Sequence, residues 1–203
     1  MEQQLVIALG REFGSGGHVI AEKLAAHYGL ALYDKNILKD IAEQKAVSEK
    51  NLTPYDERPK SPFLSRTVRG FTNSPEENIA QLQFDFIRER ADAGESFVIV
   101  GRCAESVLKG RHYVVSIFVT GDMEQKVIRT MATEGLSKEA AAKRVEQVSR
   151  QRKAYHNHYC KEKWGDSRNY DLTINSSRLG IAGTAALLTA YVDARRAADS
   201  AKQ

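Results

Sequence analysis

The sequence predicts an α/β fold built on an open sheet of parallel strands with helices on both faces, and three observations lead there. Short apolar runs, most of them rich in β-branched residues, recur at 4–9, 31–33, 96–101, 113–121 and 170–174. Between them lie segments whose apolar residues return at helical spacing. Glycines punctuate the junctions, at Gly10, Gly29, Gly94, Gly101 and Gly121 among others. Strands that alternate with helices in this way pair in parallel through right-handed crossovers.

The run QLVIAL at 4–9 has no polar alternation after Gln4, the pattern of a strand covered on both faces. From His18 the period changes: Ile20, Leu24 and Tyr28 share one helical face, and Gly29 is placed to end that helix. ALY at 31–33 is a second strand, followed by a polar helix over 36–45. All four prolines, Pro54, Pro59, Pro62 and Pro75, fall in a polar stretch that resists regular structure. A connection of that length is a lid, a binding loop or a disordered stretch, and it is expected to move. Ile79, Leu82, Phe86 and Ile87 then stripe a helix over 76–92. SFVIVG at 96–101 and YVVSIFVTG at 113–121 are buried strands. Helices are expected at 122–133 and 137–159, a last strand at 170–174 and a closing helix at 181–196.

With 203 residues, 42% hydrophobic and 28% charged, the chain is neither a disordered tail, a collagen-like fibre nor a disulfide-stapled miniprotein. Its length suits one domain over 1–203 with one movable part. Thirty Lys and Arg against 26 Asp and Glu, with a pI near 9.0, favour anionic partners. Cys103 and Cys160 stand far apart at no metal spacing, as expected for a protein of a reducing cytoplasm. The first residues lack the pattern of a secretory leader, and no apolar run approaches the ~20 residues that span a bilayer, so no membrane partner is expected.

The chemistry concentrates in Gly10-Arg11-Glu12-Phe13-Gly14-Ser15-Gly16-Gly17-His18. Successive amides in such a turn, leading into a helix N-terminus, make a concave donor site for phosphate oxygens. The strand before and the amphipathic helix after supply the context that a lone glycine motif lacks. The pattern G-x-x-x-x-G-K-[ST] is nonetheless broken. Gly17 stands at the lysine position and His18 at the magnesium-binding hydroxyl position. Arg11 and His18 are the nearest cations that could replace the lysine, and Ser15 is the hydroxyl candidate on the metal side. The bland readings pair Arg11 with Glu12 and make His18 a helix cap.

REFGSGG at 11–17, LYDKNIL at 32–38, GRCA at 101–104, KWGDSRNYDLTIN at 163–175 and LGI at 179–181 together resemble the cytidylate kinase-like proteins, within the nucleoside monophosphate kinase group of P-loop enzymes. The resemblance implies a P-loop kinase-like three-layer fold with a five-stranded parallel sheet of order 2-3-1-4-5. It also implies an acceptor-binding segment at 47–94, a mobile lid at 143–168, ATP with Mg2+ as donor, and a nucleoside monophosphate as acceptor. Gly14, Ser15, Gly16 and Gly17 would cradle the donor phosphates, and Asp34 and Arg102 would contact the acceptor. Position 18, often Arg in the family, is His18 here. Where true cytidylate kinases carry Gly-Arg-Asp this chain has Gly101-Arg102-Cys103, so a carboxylate that helps to read cytosine is missing.

From Lys143 to Arg168 eight basic residues face three acidic ones. Phosphoryl transfer needs positive charge on the equatorial oxygens, and the planar fork of Arg contacts two at once. Arg150 and Arg152 match lid arginines by position, and with Arg11 and His18 they complete the expected catalytic set. The alternative is a solvated helix face. Tyr155, Tyr159 and Trp164 either stack on bases or pack the lid onto the sheet, packing being favoured. His156, His158 and Cys160 invite a zinc reading, but no second ligand pair is evident in sequence, and no protein-held metal is expected. Three functions follow: a kinase, a nucleotide-binding sensor or partner-binding protein that has lost catalysis, and, disfavoured, a nucleic-acid binder.

Overall fold

The computed structural model describes residues 3–34, 36–45, 67–68, 71–72 and 74–201. The central strand β1, Val6–Arg11, pairs in parallel with β5, Phe97–Val100, on one side and with β6, Val114–Thr120, on the other. β2, Ala31–Tyr33, extends the sheet beyond β5, and β7, Leu172–Asn175, extends it beyond β6. The order is β2-β5-β1-β6-β7, which is 2-3-1-4-5 when only the strands of this sheet are counted. Two further strands, β3 (Thr67–Val68) and β4 (Phe71–Thr72), form a separate antiparallel pair in the stretch read from sequence as a proline-rich loop.

Side-chain parity explains why these strands read as continuous apolar runs. Along β1, Val6 and Ala8 point to one face and Ile7 and Leu9 to the other, and all four are buried. Val6 and Ala8 join Phe97, Ile99 and residues of α2 (Ile37–Lys45) and α3 (Pro75–Asp92), among them Ile37, Ile41, Ile79 and Ile87. Ile7 and Leu9 join Val98, Ile117 and the inner stripes of α1 (Gly17–Tyr28) and α7 (Ser176–Ser200), with Ile20, Leu24, Leu188 and Val192 fully buried. The sheet is therefore sealed between two helical layers. Among the described residues no helix is long and apolar enough to cross a membrane.

The register aligns the carboxyl ends of the middle strands: Leu9 lies opposite both Val100 and Ile117. Consequently Arg11–Gly17, Gly101–Cys103 and Thr120–Asp122 leave the sheet at one edge, the edge where open α/β folds bind ligands. Two helices roof that edge. α5, Met123–Glu134, packs against α6, Lys138–Tyr159, through Val127, Ala141 and Val145, with Phe13 of the glycine turn beside them. α7 is broken near its start by Gly180, whose positive φ of 67° turns the chain so that Ile181 covers Gly16.

Candidate active site

The glycine turn is stapled to the sheet and to the helices around it. Glu12 continues the β1 ladder, its amide donating to the Val119 carbonyl at 3.0 Å. Its carboxylate accepts from Lys126 Nζ at 2.8 Å, Thr120 Oγ1 at 2.6 Å and the Gly121 amide at 3.3 Å. Burial pushes this carboxyl up, but those three donors and the Lys126 charge outweigh it and hold the Glu12 pKa below its ordinary value. Ser176 Oγ donates to the carbonyl of Ser15 at 2.6 Å and tethers the turn from the α7 side.

Gly14 and Gly16 both have positive φ, 75° and 78°. A Cβ on Gly14 would lie 2.8 Å from the Lys126 carbonyl, in backbone that cannot yield. Gly14→Ala is therefore expected to cost about 1–3 kcal/mol from the φ alone and to open the turn away from α5. The check is a joint measurement of thermal stability and ATP affinity, both of which should fall.

A cleft of about 360 Å³ opens above this turn. Gly14, Gly16, Gly17 and Arg11 form its floor, and His18, Asp34 and Arg102 one wall. Helix geometry turns the first amides of α1 toward it. His18 is the second residue of α1, half-exposed, with Nδ1 3.6 Å from Asp34 Oδ2 and Nε2 3.4 Å from Glu22 Oε1. It is not the cap, because that position is Gly16 and His18 lies inside the first turn. Asp34 is buried and fixed by accepting the Asn36 amide at 2.8 Å on Oδ1. Arg102 is buried in the left-handed region, φ 57°, at the end of β5. Arg129 of α5 and Arg152 of α6 line the cleft as well. Arg129 donates to the Gly14 carbonyl, and its burial works against its charge. The Arg152 guanidinium lies over the Phe13 ring, 5.6 Å from its centroid.

The expected site residues are thus brought together with two exceptions. Arg150 lies outside this cleft: residues two apart on a helix point well away from each other, so Arg150 is exposed in a neighbouring depression with Ser149, Lys153, Glu12 and Thr120. Ser15 is fully buried, and its hydroxyl donates to the Glu12 carbonyl at 2.8 Å and accepts from the Gly17 amide at 3.3 Å, so it shapes the turn from within. Glu12 gives its carboxylate to Lys126 rather than serving only as a neighbour of Arg11. The basic segment is docked: Tyr155 is buried with Phe84 and Tyr159, and Trp164 stands edge-on to Phe118 at 5.1 Å. Of the acceptor segment, 47–66, 69–70 and 73 lie outside the described residues.

Lys126 and Arg129 escaped the sequence reading. They sit three apart on α5 and therefore share a face. Their spacing was a usable signal only once α5 was known to cross the glycine turn.

The sequence profile described as the cytidylate kinase-like family matches residues 6–178. A cytidylate kinase of Pyrococcus horikoshii is 29% identical over 196 residues, an overlap that covers 95% of this chain and 90% of that protein. The crystal structure of a protein from Eubacterium ventriosum is similar, with a TM-score of 0.75 and 37% identity, covering 94% of this chain and 99% of the other. Shikimate kinase from Bacteroides thetaiotaomicron has the same fold, with a TM-score of 0.55 at 12% identity over 93% of this chain and 98% of its own.

Proposed function

The chain belongs to the cytidylate kinase-like family, and from that premise we propose that it is a kinase transferring the γ-phosphoryl group of MgATP to a nucleoside monophosphate or another small acceptor. The observation that carries the reading is the convergence of Arg11, Arg102, Arg129 and Arg152 on a cleft floored by glycine amides. Phosphoryl transfer asks little covalent chemistry of the protein and much positioned positive charge. The turn fits a chain of phosphates: Gly14 and Gly16 have positive φ and no side chain over the backbone, and the Glu12–Lys126 contact braces that shape. Arg129 and Arg152 line the cleft and are the cations assigned the role of the loop lysine. The magnesium is bound to the triphosphate as part of the substrate. The loop's own hydroxyl is turned inward at Ser15, so no step is assigned to a protein-held ion.

Asp34 and Arg102 face the cleft from the strand ends and are the groups assigned to the acceptor. In the Gly101-Arg102-Cys103 turn, Cys103 is buried with Tyr155 and Phe84 and supplies no carboxylate to read cytosine. Transfer proceeds with the acceptor oxygen in line with the γ-phosphorus, Arg152 neutralising the equatorial oxygens, and α6 excluding water. The absent lysine and hydroxyl favour a second reading, a nucleotide-binding sensor without turnover.

One experiment separates the two. ATP turnover is measured with magnesium across nucleoside monophosphates, nucleosides and small alcohols, with nucleotide binding followed on the same preparation. The kinase reading expects transfer to at least one acceptor; binding with no transfer to any of them establishes the sensor. A nucleic-acid binder would instead show RNA or DNA affinity that falls steeply with salt.

A further inference from the structure

We propose that Cys103, Glu105, His156 and Cys160 form a binding site for a thiophilic divalent cation, distinct from the phosphate cleft and independent of the kinase reading. His156 and Cys160 are four apart at the end of α6, so they share a face, whereas exposed His158 points elsewhere. The fold brings Glu105 to this pair, with Cys103 packed beside Cys160. Cys103 and Glu105 sit at the start of α4, Ala104–Val107, directly opposite. Glu105, His156 and Cys160 each place one ligand atom within 4.8 Å of the other two. The Cys160 thiol is hydrogen-bonded to Cys103 and lies against His156.

Three features make this more than an acidic or thiol cluster. The His156 and Glu105 side chains are each only 6% exposed, with Nε2 and Oε1 2.5 Å apart. Removing such groups from water is expensive, and apolar side chains would fill the same space at lower cost. His156 Nδ1 is buried without a well-formed hydrogen bond. A small cavity of about 20 Å³, room for a single ion, borders Cys103, Glu105 and His156 and has Arg11, Arg102 and Arg152 on its other sides.

The donor set chooses the ion. Two sulfurs, an imidazole nitrogen and a carboxylate oxygen suit tetrahedral Zn2+, while Mg2+ and Ca2+ prefer oxygen throughout. Bound there, the cation would tie the end of α6 to the turn that carries Arg102. The spacing of Arg102 and Arg152, which border the same small cavity, would then be set by a coordinate bond network rather than by packing alone.

The test uses the full chain after treatment with a chelator. One equivalent of Co2+ should produce visible d–d bands of tetrahedral intensity and a near-ultraviolet thiolate charge-transfer band, both removed by one equivalent of Zn2+. Cys160→Ser and Cys103→Ser, close in size to the native residues and on different elements, should each weaken Co2+ binding by more than about 100-fold. Glu105→Gln should weaken it by about 10- to 100-fold. Cooperative thermal unfolding of each variant establishes that it is folded. The proposal is overturned if the wild-type chain shows no such bands at stoichiometric Co2+, or if the bands appear and persist unchanged in folded Cys160→Ser.

Discussion

Arg152→Ala is expected to lower kcat by about 100-fold while leaving the fold in place. The magnitude follows from removing one positioned cation from the equatorial oxygens of a transferring phosphoryl group. Arg152 is partly buried, its stacking on Phe13 at 5.6 Å contributes about 0.5–1 kcal/mol, and thermal unfolding of the variant checks that the fold is kept. Arg150→Ala is the internal comparison. It has the same chemistry two residues away on the far side of α6, so kcat should stay near the wild-type value. Steady-state kinetics on both variants, with the acceptor found in the turnover panel, checks the pair. Equal losses in both would mean that α6 rotates or swings on closing, and that the cleft as described is not the reacting geometry.

The largest stability effect belongs to Lys126. Its side chain is 11% exposed and that of its partner Glu12 is 24%, which sets this ion pair apart from the exposed pairs along the helices, worth about 0–1 kcal/mol each. Lys126→Met removes the ammonium and leaves the Glu12 carboxylate partly buried beside apolar atoms. A cost of about 3 kcal/mol is expected, which for a chain of this size lowers the Tm by about 6–12 °C. The double variant Glu12→Gln with Lys126→Met should recover part of the loss, since the uncompensated charge is then gone. The pH dependence carries a sign. Glu12 is depressed below its ordinary value of 4.5, so its stabilisation is present above that pH and is lost as pH falls through the folded-state value. In Lys126→Met this loss on the acid side should shrink. Calorimetric Tm values from pH 3 to pH 7 for the wild type and both variants decide the point.

The sheet was legible because its physics is local. Residues 4–9, 96–101 and 113–121 are apolar on both parities, which only a strand sealed on two faces requires, and the strands form there. The phosphate turn was legible for a similar reason: strand, glycines and amphipathic helix follow one another within 25 residues. The strand order came with the family resemblance. Other parts were hidden because they depend on long-range placement. Lys126 and Arg129 lie more than 110 residues from the turn they brace, and α5 by itself reads as an ordinary amphipathic helix. The helical phase of α6 was equally hidden, because its charges are spread round the helix and Arg150 and Arg152 are equivalent in sequence. Cys103 and Cys160 had no spacing to connect them, and only the docking of α6 on the β5–α4 turn brings their thiols together.

The central claim is that this cleft binds a triphosphate through cations carried by α5 and α6 in place of a loop lysine. Its most direct test is calorimetric titration of MgATP into the wild-type chain and into Arg129→Ala. The account predicts saturable one-to-one binding that weakens at least about tenfold in the variant, the loss of one charge-assisted contact of about 1.5–3 kcal/mol. Absence of wild-type binding at millimolar MgATP, or equal affinity in the two proteins, would contradict it.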